Sequence, residues 1–164
     1  MLEFDTSIGM CHLYDLSYNT KSYSIQKYIE NRTHQLINEF GSVPQKKVFE
    51  IHIINNNSWE NKFSDFDWAV GIAKGNKIFI NNNKIENNSV LLETIAHEIC
   101  HIYQYRIKNS NSIPSWFKEG MAMYFANKFS IKKQSLISKS IWLNSLLELH
   151  DLDNISKLDE EKIN

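Results

Sequence analysis

The chain has 164 residues, 42% of them hydrophobic and 12% aromatic, which is enough to bury the core of one domain and too apolar for an intrinsically disordered polypeptide. Its 18 Lys and Arg against 19 Asp and Glu leave a formal charge of −1 with no long single-sign block, so nothing electrostatic points to nucleic acid or an anionic membrane surface. No apolar run approaches the about 18 residues of a membrane span, and Met1-Leu2-Glu3-Phe4-Asp5 places acids where a secretory signal is basic and apolar; the expected location is cytoplasmic, without a membrane partner.

Residues 1–21 show no clear period and read as an irregular or partly extended arm. Cys11 lies in it, and with Cys100 as the chain's second cysteine no disulfide framework is expected. From Ser22 or Ser24 as N-cap, Ile25, Tyr28, Ile29, Leu36, Ile37 and Phe40 predict a helix that stops at Gly41, with Pro44 beyond it. Residues 48–54 are short, apolar and β-branched, and predict a strand with Phe49, Ile51 and Ile53 on one face. After an Asn-rich loop and an aromatic stretch at 59–68, two extended runs, 69–74 and 77–81, flank Gly75-Asn76, a hairpin signal.

Residues 88–108 contain neither Pro nor Gly and predict one long helix, with Leu92, Ile95, Ile99 and Ile102 following at steps of three and four. The opposite side carries His97 and His101 of the run His97-Glu98-Ile99-Cys100-His101. At roughly 100° per residue the two imidazoles stand about 40° apart on one face, while Glu98 projects from the neighbouring stripe. Shuffling this composition would produce H-E-x-x-H in roughly one or two chains per hundred, so the helical context is what gives the motif weight. After a break at 109–113, Pro114 suits the first turn of a helix reaching about Asn127, and 134–149 predicts another. No repeat or linker divides residues 1–164, which read as a single domain.

Two histidines leave a zinc ion short of ligands, since a catalytic zinc takes three protein donors plus water. Glu119, 18 positions after His101 on the next predicted helix, is the candidate for the third. A thiolate from Cys100 would close the open position, so Cys100 is expected to be a buried thiol; Cys11 beside His12 is the alternative donor that could hold such a site latent. Glu93, on the helix face of His97, is a candidate to orient a ligand ring.

Trp116-Phe117-Lys118-Glu119-Gly120-Met121-Ala122-Met123-Tyr124 after the H-E-x-x-H helix resembles the gluzincin metallopeptidases, the thermolysin-like branch of the MA clan, over roughly residues 71–125. The resemblance implies an α+β, zincin-like fold: a small mixed or antiparallel sheet over an active-site helix, followed by a glutamate helix and a C-terminal helix. It implies one zinc ion on His97, His101 and Glu119, with Glu98 as general base, a peptide or protein substrate, and an extended substrate pairing with the strand at 77–81. Tyr124 and His150 are the positions that could supply the family's oxyanion-stabilising side chain. Two departures stand out: Met123 replaces the acidic residue that follows the glutamate ligand by four, and the G-x-M-E-N stretch of the aminopeptidase branch is missing. The alternative expectation is a zinc-binding regulatory or interaction protein on the same fold that does not turn over substrate, and a third is a metal-free interaction domain; the oligomeric state is not specified.

Overall fold

In the computed structural model, which describes residues 1–15, 22–108 and 110–127, the sheet begins earlier than the sequence suggests. β1 (Leu2–Thr6) and β2 (Gly9–Asp15) form an antiparallel hairpin, with Phe4 opposite Cys11, where an irregular arm was expected. Each strand buries only one or two apolar residues, Phe4 on the first and Cys11 and Leu13 on the second, too few for an alternation to register. Gly9 sits at φ +139°, and a Cβ there would overlap the Lys47 carbonyl, so the turn requires glycine.

α1 (Ser22–Phe40) buries Ile25, Ile29 and Leu36, and ends as expected at Gly41, whose φ of +94° accompanies a 3.0 Å bond from its N–H to the Ile37 carbonyl. β3 (Phe49–Ile54) runs parallel to β2, with Phe49, Ile51 and Ile53 fully buried. α2 (Asn56–Phe63) is capped by the Asn55 side chain, which accepts from the Ser58 N–H at 2.9 Å, and its Trp59 and Phe63 join a small core of their own with Ile54 and Ala69.

β4 (Gly71–Lys74) and β5 (Lys77–Asn81) pair antiparallel across Gly75, at φ +62°. β5 also pairs parallel with β3, giving a mixed sheet in the order β1-β2-β3-β5-β4. The expected rim strand at 77–81 is therefore an interior strand, bonded on both sides. Its hairpin partner β4 has the free edge, because β5 is the strand that reaches β3.

α3 (Asn88–Arg106) crosses beneath this half of the sheet and packs against α1, β4 and β5. Its first turn is capped by Asn87, whose side chain accepts from the Val90 N–H at 3.1 Å. Ile95, Ile99 and Ile102 are completely buried, each contributing about 2–3 kcal/mol by burial. α4 (Ser115–Phe125) follows Pro114, packs on α3 and buries Ala122 and Phe125. Among the described residues no helix is long and apolar enough to cross a membrane. The helix expected at 134–149 and His150 lie outside the described residues.

Candidate metal centre

With Ile95, Ile99 and Ile102 committed to the core, α3 turns His97 and His101 away from it, and α4 brings Glu119 to them. The His ring centroids are 4.8 Å apart with planes at 81°, and the two Nε2 atoms are 3.1 Å apart. The Glu119 carboxylate spans the pair, one oxygen 3.4 Å from His97 Nε2 and the other 3.3 Å from His101 Nε2. Donors about 2.0–2.1 Å from a zinc ion at tetrahedral angles stand about 3.3–3.4 Å from one another. Each imidazole lies at that distance from its own carboxylate oxygen, and one donor atom from each residue falls within 4.8 Å of the others, so the three fit one zinc ion by type, two imidazoles and a carboxylate, and by proximity.

Glu119 owes its position to its neighbours: three residues on, Ala122 is fully buried, and Phe125 lies under the Arg32 guanidinium, 4.0 Å from the ring centroid. A further tie comes from Gln104. Its Nε2 donates to the Lys118 carbonyl at 2.8 Å, which fixes the amide orientation, since a carbonyl only accepts. Its Oε1 then lies 2.9 Å from His101 Nδ1, which must carry a proton; when the ring is neutral its Nε2 lone pair therefore faces the cluster, and when it is charged Nε2 donates to Glu119. His97 Nδ1, in contrast, is buried without a hydrogen-bond partner, and the Glu93 carboxylate accepts from the Ser89 hydroxyl at 2.9 Å, one turn back along α3.

The electrostatics are those of a paired site. Hydrogen bonds from His101 and His97 hold the Glu119 carboxyl well below the usual carboxylate range. Burial disfavours the charged His101 ring, but the Glu119 carboxylate outweighs it and keeps the imidazole above its ordinary value. Cys100 is buried and its thiol pushed up to about 12, so it stays protonated, with Gln104 Nε2 at 3.6 Å from its sulfur. Cys11 is buried in β2 between Phe4 and Phe49, its thiol raised by burial, and belongs to the sheet's core.

Glu98 stands outside the ligand cluster, 6% exposed, with β4 directly over it. A Cβ at Gly71 would lie 3.0 Å from Glu98 Oε1 and 2.7 Å from Thr94 Cγ2, so the strand approaches the helix as closely as only glycine permits. Beside this contact, among β4, α3 and α4, opens a cavity of about 400 Å³ that His97, Glu98, His101 and Glu119 line. Phe66 and Trp68, the latter 76% exposed, form an aromatic wall, while Trp59 and Phe63 of the same stretch are core. Tyr105 lines the cavity too, its phenol kept protonated by burial and by the charges of Glu98 and Glu119. Tyr124 is exposed on α4 and is not among the lining residues.

Gln104, Tyr105 and Gly71 were not singled out by sequence reasoning. A signal existed for the first two: Gln104 follows His101 by three and Tyr105 by four, the spacings that meet on a helix surface. For Gly71 there was none, because its close approach exists only once β4 lies on α3.

The helix-borne His97-Glu98-x-x-His101 with the distal Glu119 matches the H-E-x-x-H plus third-ligand architecture of zincin metal sites, and the five-stranded mixed sheet packed on α1, α3 and α4 is a zincin-like α+β arrangement. No protein-family model matches the sequence, and no curated protein or solved structure is significantly similar to it.

Proposed function

We propose that this protein is a zinc-dependent peptidase that hydrolyses peptide bonds in the cleft between β4 and α3. The observation that carries the reading is the combination of two imidazoles and a carboxylate gathered closely enough to share one ion with a buried fourth residue, Glu98, that faces the same cavity without joining them. His97, His101 and Glu119 would hold the ion. A zinc ion so held acidifies water and polarises a carbonyl oxygen.

The chain's own residues account for the rest. Glu98, beside the metal ligands, accepts the proton of the attacking water and returns it to the leaving amine, the task of a general base that then acts as acid. The Tyr105 phenol, which lines the same cavity and stays protonated, is the candidate to donate a hydrogen bond to the oxygen on which negative charge develops. The free edge of β4 offers backbone groups to an extended peptide, which suits a peptide or protein as substrate. Phe66 and Trp68 offer apolar side chains of a substrate a surface on one side.

Glu98→Gln tests the assignment, because it keeps the shape and removes the base. Zinc content measured on the purified variant is expected to equal that of the wild type, while cleavage of a mixed peptide library falls by at least about 100-fold. Equal, negligible cleavage by both proteins would instead identify a zinc-binding module without turnover.

A further inference from the structure

A second cavity, of about 290 Å³, opens beside the first, and Tyr105 belongs to the walls of both. It lies at the hairpin end of β4, where Gln45, Lys47, Gly75, Asn76 and Arg106 also line it. Two of these are cations and none is an acid. Neither Lys47 nor Arg106 takes part in an ion pair among the described residues.

Arg106 is the more unusual of the two. Its guanidinium donates to the Ile8 carbonyl at 2.6 Å, to Asn76 Oδ1 at 3.0 Å and to the Val48 carbonyl at 3.5 Å, all neutral acceptors, while its Nε is buried with no partner. Partial burial lowers its pKa to about 10. A desolvated cation satisfied only by neutral groups leaves a positive potential that an anion can neutralise.

The cavity's place relative to the metal follows from two parallel rulers. Arg106 follows Glu98 by eight residues, about 12 Å along a helix. Gly71, over Glu98, and Gly75, near Arg106, are separated by about 13 Å of strand. An extended peptide lying on the β4 edge would cover that distance in about four residues.

We propose that this second cavity is a substrate subsite that takes the carboxylate of an Asp or Glu side chain three or four residues from the bond cut at the metal centre. The proposal rests on the peptidase reading for its substrate and adds the charge that substrate carries. Lys47 and Arg106 supply the cationic field, and the amides of Gln45 and Asn76 supply neutral donors.

The test is binding, measured apart from cleavage. Zinc-loaded Glu98→Gln protein is titrated into fluorescent peptides in which one Asp is walked along an otherwise neutral sequence, with the Asn-for-Asp set as control, and anisotropy is recorded. At one or two adjacent positions the acid is expected to tighten binding about tenfold, and Lys47→Glu, at an exposed residue, to abolish that ratio; Arg106→Gln is expected to do the same. Should Arg106→Gln fail to fold through loss of its Ile8 bond, the Lys47 variant still decides. Equal binding of the two peptide sets, no binding of any peptide, or an acid preference that survives Lys47→Glu would each overturn the proposal. Wild-type cleavage of the same peptides judges the peptidase reading separately: cleavage without preference removes the subsite alone, and preference without cleavage removes the hydrolase.

Discussion

Gln104 uses one amide for two purposes, orienting the His101 ring through Oε1 and tethering α4 through the Lys118 carbonyl. Gln104→Leu keeps the volume and removes both bonds, so zinc affinity is expected to fall by about 10–100-fold. Competition against a chelating dye measures it, and an affinity within twofold of the wild type would mean that the amide does not support the ligand. This division marks what could be read at the level of single residues. His97 and His101 were legible because an i, i+4 pair shares a helix face whatever the surrounding fold, and Glu119 because it stands in the stretch 116–124 that resembles the glutamate helix of such sites. Gln104 was not, because its role depends on a rotamer and on a carbonyl of another helix, and Tyr105 was not, because its role depends on which strand covers its end of α3.

At the level of elements, the closest contact near the site is between β4 and α3 at Gly71. A methyl group there would press on Thr94 Cγ2 at 2.7 Å and on Glu98 Oε1 at 3.0 Å, and both α3 and the sheet are held by fully buried isoleucines. Gly71→Ala is expected to cost about 1–3 kcal/mol in urea unfolding and to reduce kcat through displacement of Glu98. Adding Thr94→Ser removes the tighter clash, so stability is expected to recover in part while kcat stays low; full recovery of both would show that Glu98 is unaffected by the strand. The elements themselves were readable where one period ran long enough. α1 and α3 each carry at least four apolar residues at helical steps, and β3 alternates from Phe49 to Ile53. The hairpin at 2–15 was hidden by the brevity of its pattern, and the interior place of β5 by the fact that strand order is a property of distant pairings, here β3 with β5, which no local window contains.

For the molecule as a whole, the ligands lie on two helices, so an ion bound there would link α3 to α4 and its removal would be felt as lost stability. At a free-ion concentration about 1,000 times Kd the gain is about 4 kcal/mol, worth upwards of about 10 °C in Tm for a domain of this size. The pH dependence has a definite sign. Without metal, the raised His101 value gives stability that is full below about pH 6.5 and lost as pH rises through the folded value, while the lowered Glu119 value gives stability present above about pH 4.3 and lost on further acidification. The metal-free site therefore favours the interval between those limits, whereas an ion needs both rings unprotonated. Thermal melts with zinc and with EDTA are expected to differ widely at pH 8 and little at pH 5.5; a difference as large at the acid end would contradict the ligand assignment. β4 lies along α3, with Gly71 over Glu98 and Gly75 beside Arg106 at the second cavity. A chain bound in extended form alternates its side chains, presenting every second one to the helix at intervals of about 6.6 Å, close to the about 5.4 Å of one helical turn. In a peptidase built this way selectivity would be uneven along the substrate, strongest where a side chain faces a turn of α3 and weakest where it faces bulk solvent.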